Sequence, residues 1–223
     1  SSGLPPADYQ LSYTTKEGRG VYTFCMCPGG YVVAAASEEG RLAINGMSEH
    51  ARDGENANAA LLVQIFPEDF GSSHPLEGMY FQRRLEEKAF EVGGSTYAAP
   101  IQSVGSFLKT KADATKISPT YLPKTTEADM DDIFPSFMTE AMREAIPQMG
   151  KKLRGFYSET ATLTAIESRS SSPIRILRGE NGASPSANGL YPIGEGAGYA
   201  GGIVSAAVDG ILVAEKIFKK HLN

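Results

Sequence analysis

The chain has 223 residues, of which 41% are hydrophobic and 21% charged, with a formal net charge of −5. That balance fits one large or two small globular domains, gives no basis for nucleic-acid binding, and two cysteines are too few for a disulfide framework. The start SSGLPPADYQ lacks a basic region followed by an apolar run, and the most apolar stretch, 203–214, is short for a bilayer and carries Asp209, so a cytoplasmic chain without membrane partners is expected.

The first part reads as sheet. Segments 10–15, 21–26, 31–36 and 61–66 are rich in β-branched and aromatic residues. Turn signals separate them: EGRG, CPGG, SEEG and a polar stretch over 47–58. From about Pro75 the period changes. Leu76, Met79, Tyr80, Leu85, Ala89 and Phe90 predict a helix that Gly93 and Gly94 end. Further helices are expected over 105–111 and 127–146, the second divided or kinked at Pro135, with another break at Pro147 and Gly150 before a short helix to Phe156. Segments 161–167, 174–177 and 189–193 read as strands. Segment 201–220 reads as a long helix, apolar on most faces, with Lys216, Lys219, Lys220 and His221 where the helix dipole favours cations. Sheet, then helices, then strands with one helix define an α+β chain with an α/β tail.

The stretch GLYPIGEGAGYAGGIV carries the strongest chemical signal. Gly196, Gly198 and Gly201 have the G-x-G-x-x-G spacing of a dinucleotide-binding turn, and Gly194 and Gly202 make five glycines in nine positions. Glycines that open a helix let a ligand approach its unpaired N–H groups. Packing of the helix on a sheet is the other explanation. Glu195 would repel a phosphate beside it and suits the hydroxyls of a polyol, such as a ribityl chain; alternatively it faces solvent. A complete mononucleotide unit needs a second parallel strand with an acidic residue roughly 20 residues on, for which the chain has no room before Asn223.

The segment 189–217 resembles the C-terminal flavin-binding segment of flavoproteins with two dinucleotide-binding domains. Gly194 and Glu195 match the pair that ends the last strand, the acid holding the ribityl chain; Gly201, Gly202 and Ile203 match the helix start near the flavin ring and pyrophosphate. The blocks GRGVYTFCMCPGGYVVAAASEEGRLAINGMSEHARDGENANAALLV and ESRSSSPIRILR resemble an uncharacterised group of bacterial FAD-dependent dehydrogenases. The resemblance implies a mainly β and helical substrate-side inserted domain over 1–157. Over 158–223 it implies the C-terminal strand and helix of an incomplete α/β FAD-binding domain. No glycine fingerprint occurs before Gly194, so the resemblance also implies a partner, the N-terminal FAD-binding half of the same protein. FAD is expected in that parent and absent or weakly bound in this chain, which is expected to be inactive alone. A small-molecule substrate is implied, and NAD(P)H as electron donor by analogy only. The rivals are an anion- or nucleotide-binding module without catalysis and a docking or scaffold domain.

Other candidates are weaker. Strand alternation would put Cys25 and Cys27 on one face, as a redox pair or as two small buried hydrophobes. His50 and Arg52, in the polar run after the first strands, are candidates for a general acid and an anion anchor, or belong to a solvated loop. Arg169, Ser171 and Arg175 form a polar turn that suits an anion or the flavin edge, or simply joins strands. No metal is expected: His50, His74 and His221 are scattered, and Cys25-x-Cys27 has no second pair.

Overall fold

A computed structural model describes residues 11–110, 118–122 and 124–222, with the side chains of 220–222 left aside. Gln10 and Lys111, at the ends of expected elements, and the side chains of Lys220 and His221 lie outside the described residues. The chain divides into two compact units. The first holds the described residues up to Phe66 together with Leu85–Glu167, the second Pro67–Arg84 together with the described part of Ser168–Asn223.

In the first unit, β1 (Ser12–Thr14), β2 (Gly20–Cys27), β3 (Gly30–Ala34), β4 (Ile44–Ser48) and β5 (Asn58–Val63) follow one another. They form an antiparallel sheet in the order β1-β2-β5 and a β3-β4 hairpin. The β2–β5 register places Val21 opposite Val63 and Thr23 opposite Leu61, and Val21 is fully buried. Helix α1 (Glu77–Val92) contains the boundary between the units. Gly94, with φ of +85°, follows it, and Ser95 N–H returns to the Phe90 carbonyl, a glycine-dependent helix end as expected.

Strand β6 (Ala99–Ser103), buried at all five positions, runs into the four-residue helix α2 (Val104–Phe107), which Ser103 Oγ caps by accepting from Ser106 N at 3.1 Å. After β7 (Thr125–Glu127) comes α3 (Ser136–Lys152), then β8 (Thr162–Thr164). The third sheet has the order β7-β6-β8, with β7 parallel to β6 and β8 antiparallel. The break expected at Pro147 does not occur: α3 runs through it. Met138, Met142, Ala145 and Met149 recur at helical spacing and are buried. Burial at about 1.5–3 kcal/mol per large apolar side chain outweighs the roughly 3 kcal/mol cost of an interior proline.

The second unit contains the N-terminal turns of α1 and a long irregular segment leading to α4 (Ile203–Leu222). The strands expected over 174–177 and 189–193 are not formed. A strand needs a paired neighbour, and here the backbone contacts are isolated: Ile176 N–H to the Ala197 carbonyl at 3.1 Å, and Ser184 N–H to the Leu190 carbonyl at 2.8 Å. Helix α4 begins at Ile203, two residues later than expected. Its inward face buries Val213 to 2% exposure, and Gly182 lies so close that an added Cβ would sit 2.8 Å from Val213 Cγ1. Its outward face carries Val204, Val208, Ile211 and Phe218, all exposed. Helices and small open sheets together make the chain α+β.

Candidate functional site

The glycine turn lies wholly within the second unit. Gly194, with φ of +69°, is buried and donates its N–H to Asp209 Oδ2 at 2.9 Å. Tyr199 N–H donates to the Gly194 carbonyl at 2.9 Å and Gly198 N–H to the Glu195 carbonyl at 2.8 Å, which closes the turn on itself. The Glu195 side chain stands exposed.

The glycines are not equivalent. At Gly198, φ is +81° and an added Cβ would lie 2.5 Å from the Ile174 carbonyl oxygen, so the fold itself requires glycine. At Gly196 and Gly201 an added Cβ would meet nothing within 4 Å; at Gly202 it would meet only Ser205 Oγ at 3.6 Å. None of these three has a positive φ. Their missing side chains leave open backbone beside the start of α4, where Ile203 is 89% exposed.

A charged network holds the turn. Arg178 donates to Asp209 through both terminal guanidinium nitrogens, Nη1 at 2.9 and Nη2 at 2.5 Å, and through Nη1 to the Pro192 carbonyl at 2.8 Å. Its guanidinium carbon lies 3.7 Å from the Tyr199 ring centroid, and that of Arg175 lies 4.8 Å away. Arg175 also donates twice to the Gly198 carbonyl, at 3.1 and 2.9 Å. Ser172 Oγ donates to the Gly196 carbonyl at 3.2 Å. The Arg178 ion pair and the Gly194 N–H hold the Asp209 carboxyl at about 2, well below its ordinary range.

Of the polar-turn candidates, Arg175 reaches the glycine turn, while Arg169 and Ser171 are exposed. Arg178, Tyr199 and Asp209 were not singled out from sequence as site residues. Asp209 carried a usable signal, since the one charged residue in the apolar run 203–214 needs a partner when it faces inward.

The remaining candidates belong to the first unit. Cys25 is exposed with φ of +45°, and Cys27 is buried. The expected alternation fails because the β2–β5 register shifts between Phe24 and Cys27. His50 and Arg52 are exposed. Arg52 has φ of +53° and its backbone packs against Gly29, where a Cβ would collide with the Arg52 carbonyl. Arg41, from the same polar run, is held by Glu38 at 2.6 Å and Glu87 at 2.5 Å. A cavity of about 480 Å³ is lined by Glu38, Glu39, Tyr97 and Tyr121 among others. Among the described residues, no cluster of three or more His, Cys, Asp or Glu is placed to hold a metal, and no helix is long and apolar enough to cross a membrane.

Residues 1–170 match the family described as "FAD-dependent protein, C-terminal domain-like". The chain belongs to that family, and an FAD-dependent parent protein is supported. An "Uncharacterized protein" of Clostridium beijerinckii (strain ATCC 51743 / NCIMB 8052) is 52% identical over 220 residues, covering 97% of this chain and 41% of the relative. The chain thus spans about two-fifths of that relative's length. The family match ends before the glycine turn, whereas the extent of the Clostridium match takes it in.

Proposed function

We propose that the chain is the C-terminal portion of an FAD-dependent oxidoreductase of dehydrogenase type, supplying the substrate pocket and the ribityl-side wall of the flavin site. The carrying observation is the open glycine backbone: among the described residues nothing accounts for glycine at 196 and 201, and a closely approaching group would. Gly194, Gly196, Gly198, Gly201 and Gly202 border the cofactor, Glu195 orients the ribityl hydroxyls, and the start of α4 at Ile203 faces the pyrophosphate or ring. When bound, FAD supplies the hydride or electron chemistry. The roughly 480 Å³ cavity of the first unit has a volume suited to a small-molecule substrate.

The partner that completes the site is the rest of a longer protein, its N-terminal FAD-binding half. The outward face of α4 supports this. A helix apolar on both faces belongs inside a protein, and Val204, Val208, Ile211 and Phe218 are all exposed here. Without that half the chain binds FAD weakly or not at all and is inactive. In the longer protein, Gly196→Val and Gly201→Val are expected to abolish flavin loading while the protein stays folded. Normal flavin absorbance in both purified variants would leave the glycines with a packing role alone and sink the proposal.

A further inference from the structure

The cavity of the first unit is built around one tyrosine. Ala34, Ala36, Glu38, Glu39, Tyr97 and Tyr121 line its roughly 480 Å³. Tyr97 has a left-handed φ of +59°, a backbone conformation costly for a side-chain-bearing residue and concentrated at functional sites. Its carbonyl accepts from the Tyr121 hydroxyl at 3.0 Å, and its own hydroxyl accepts from Gly40 N–H at 3.1 Å. The Phe90 ring packs edge-on against it, with centroids 4.8 Å apart. The Gly40 bond ties the turn that carries Glu39 to Tyr97, so the acid and both aromatic rings belong to one connected wall. The charge of that wall is negative. Arg41, which does not line the cavity, divides its guanidinium between Glu38 at 2.6 Å and Glu87 at 2.5 Å, so one positive charge already meets two negative ones. Glu39 adds a third, and it has no hydrogen-bond or ion-pair partner among the described residues. Among those residues no group of three His, Cys, Asp or Glu is placed to hold a metal.

We propose that this cavity takes a small organic ammonium ion with an apolar substituent, Glu39 pairing with the ammonium and the Tyr97 and Tyr121 rings flanking it. An ammonium group is attracted both to a carboxylate and to an aromatic ring. Its apolar substituent matches the alanine methyl groups and the tyrosine rings that make up most of the remaining lining. A neutral or anionic ligand of the same shape would take water from Glu39 without supplying a counter-charge, which disfavours it. The inference rests on the reading of the cavity as the substrate pocket and names the substrate class, an amine. Every residue it uses belongs to the first unit, so binding is independent of the glycine turn and of flavin.

The test titrates the full chain, at neutral pH and low salt, with three probes of similar shape: 3-phenylpropylammonium, 3-phenylpropan-1-ol and 3-phenylpropanoate. Amide NMR spectra report binding, and the Gly40 N–H bonded to Tyr97 marks the cavity. The ammonium probe is expected to move the Gly40 signal and to bind about 10-fold tighter than the alcohol, with the carboxylate weakest. Glu39→Gln is expected to weaken the ammonium probe about 3-fold, the scale of one exposed ion pair, and to leave the alcohol unchanged, which shows the cavity intact. Equal ammonium affinity in wild type and Glu39→Gln overturns the proposal. Alcohol or carboxylate binding as tight as the ammonium also overturns it, while the cavity remains a substrate pocket. If none of the three probes moves the Gly40 signal, the substrate-pocket reading falls with it.

Discussion

Gly198 and Gly196 stand two positions apart in one turn and answer to different causes. Gly198 has a left-handed backbone and the Ile174 carbonyl 2.5 Å from where its Cβ would be, while Gly196 is open. Gly198→Ala is therefore expected to destabilise the isolated chain by about 1–3 kcal/mol, and Gly196→Ala to stay within about 0.5 kcal/mol of wild type, as read from urea unfolding midpoints. Asp209 is the other residue on which the turn depends. Its folded pKa of about 2 lies below the ordinary 3.8, so its ion pair stabilises the chain above that value and the contribution is lost as the pH falls from 3.8 through about 2. Asp209→Asn should cost about 2 kcal/mol near neutral pH, and the deficit relative to wild type should shrink as acid unfolding is followed down that window. At this scale the sequence exposed the glycines and Glu195, which follow a local spacing. It hid Arg178 and Tyr199, because their meeting with Asp209 depends on how an irregular segment folds back on a helix.

Among elements, periodicity explains which were legible. β1, β2, β3, β5, α1 and α4 follow clear period-2 or helical patterns, and all are present near their expected bounds. β4 and β6 were missed for reasons visible in their residues: Gly46 interrupts the first, and Pro100 stands inside the second. Pro100 is tolerated because its carbonyl accepts from Ala165 N–H at 2.9 Å while its missing N–H leaves no orphaned donor. The same residue type misled in α3, where the buried methionine and alanine stripe carries the helix across Pro147. Pro147→Ala should restore the bond to the Arg143 carbonyl and raise the stability of the chain by about 1–3 kcal/mol in urea unfolding. Helix α4 makes the opposite kind of prediction. Ile211 is 60% exposed on its outward apolar face. Ile211→Lys is expected to shift the isolated chain by no more than about 0.5 kcal/mol, yet to prevent the longer protein from purifying folded and flavin-loaded. Equal effects in the two contexts would mean that this face covers nothing in the parent.

For the whole molecule, the α+β class was legible because strand and helix patterns segregate along the chain. The expected strands at 174–177 and 189–193 were not formed, since a strand is a property of a pair and no strand neighbours exist for them among the described residues. The chain covers only 41% of the Clostridium relative, which is correspondingly longer. The family is FAD-dependent, while the glycine turn, the exposed outward face of α4 and the unpaired segments before it are the features the proposed flavin-binding half would complete. The most direct measurement is an FAD titration of the isolated chain beside the full-length Clostridium relative, followed by flavin fluorescence and absorbance. The account predicts stoichiometric flavin in the full-length protein and no tight binding by the chain. Tight, stoichiometric FAD binding by the chain alone, or a full-length protein that takes up no flavin, would contradict it.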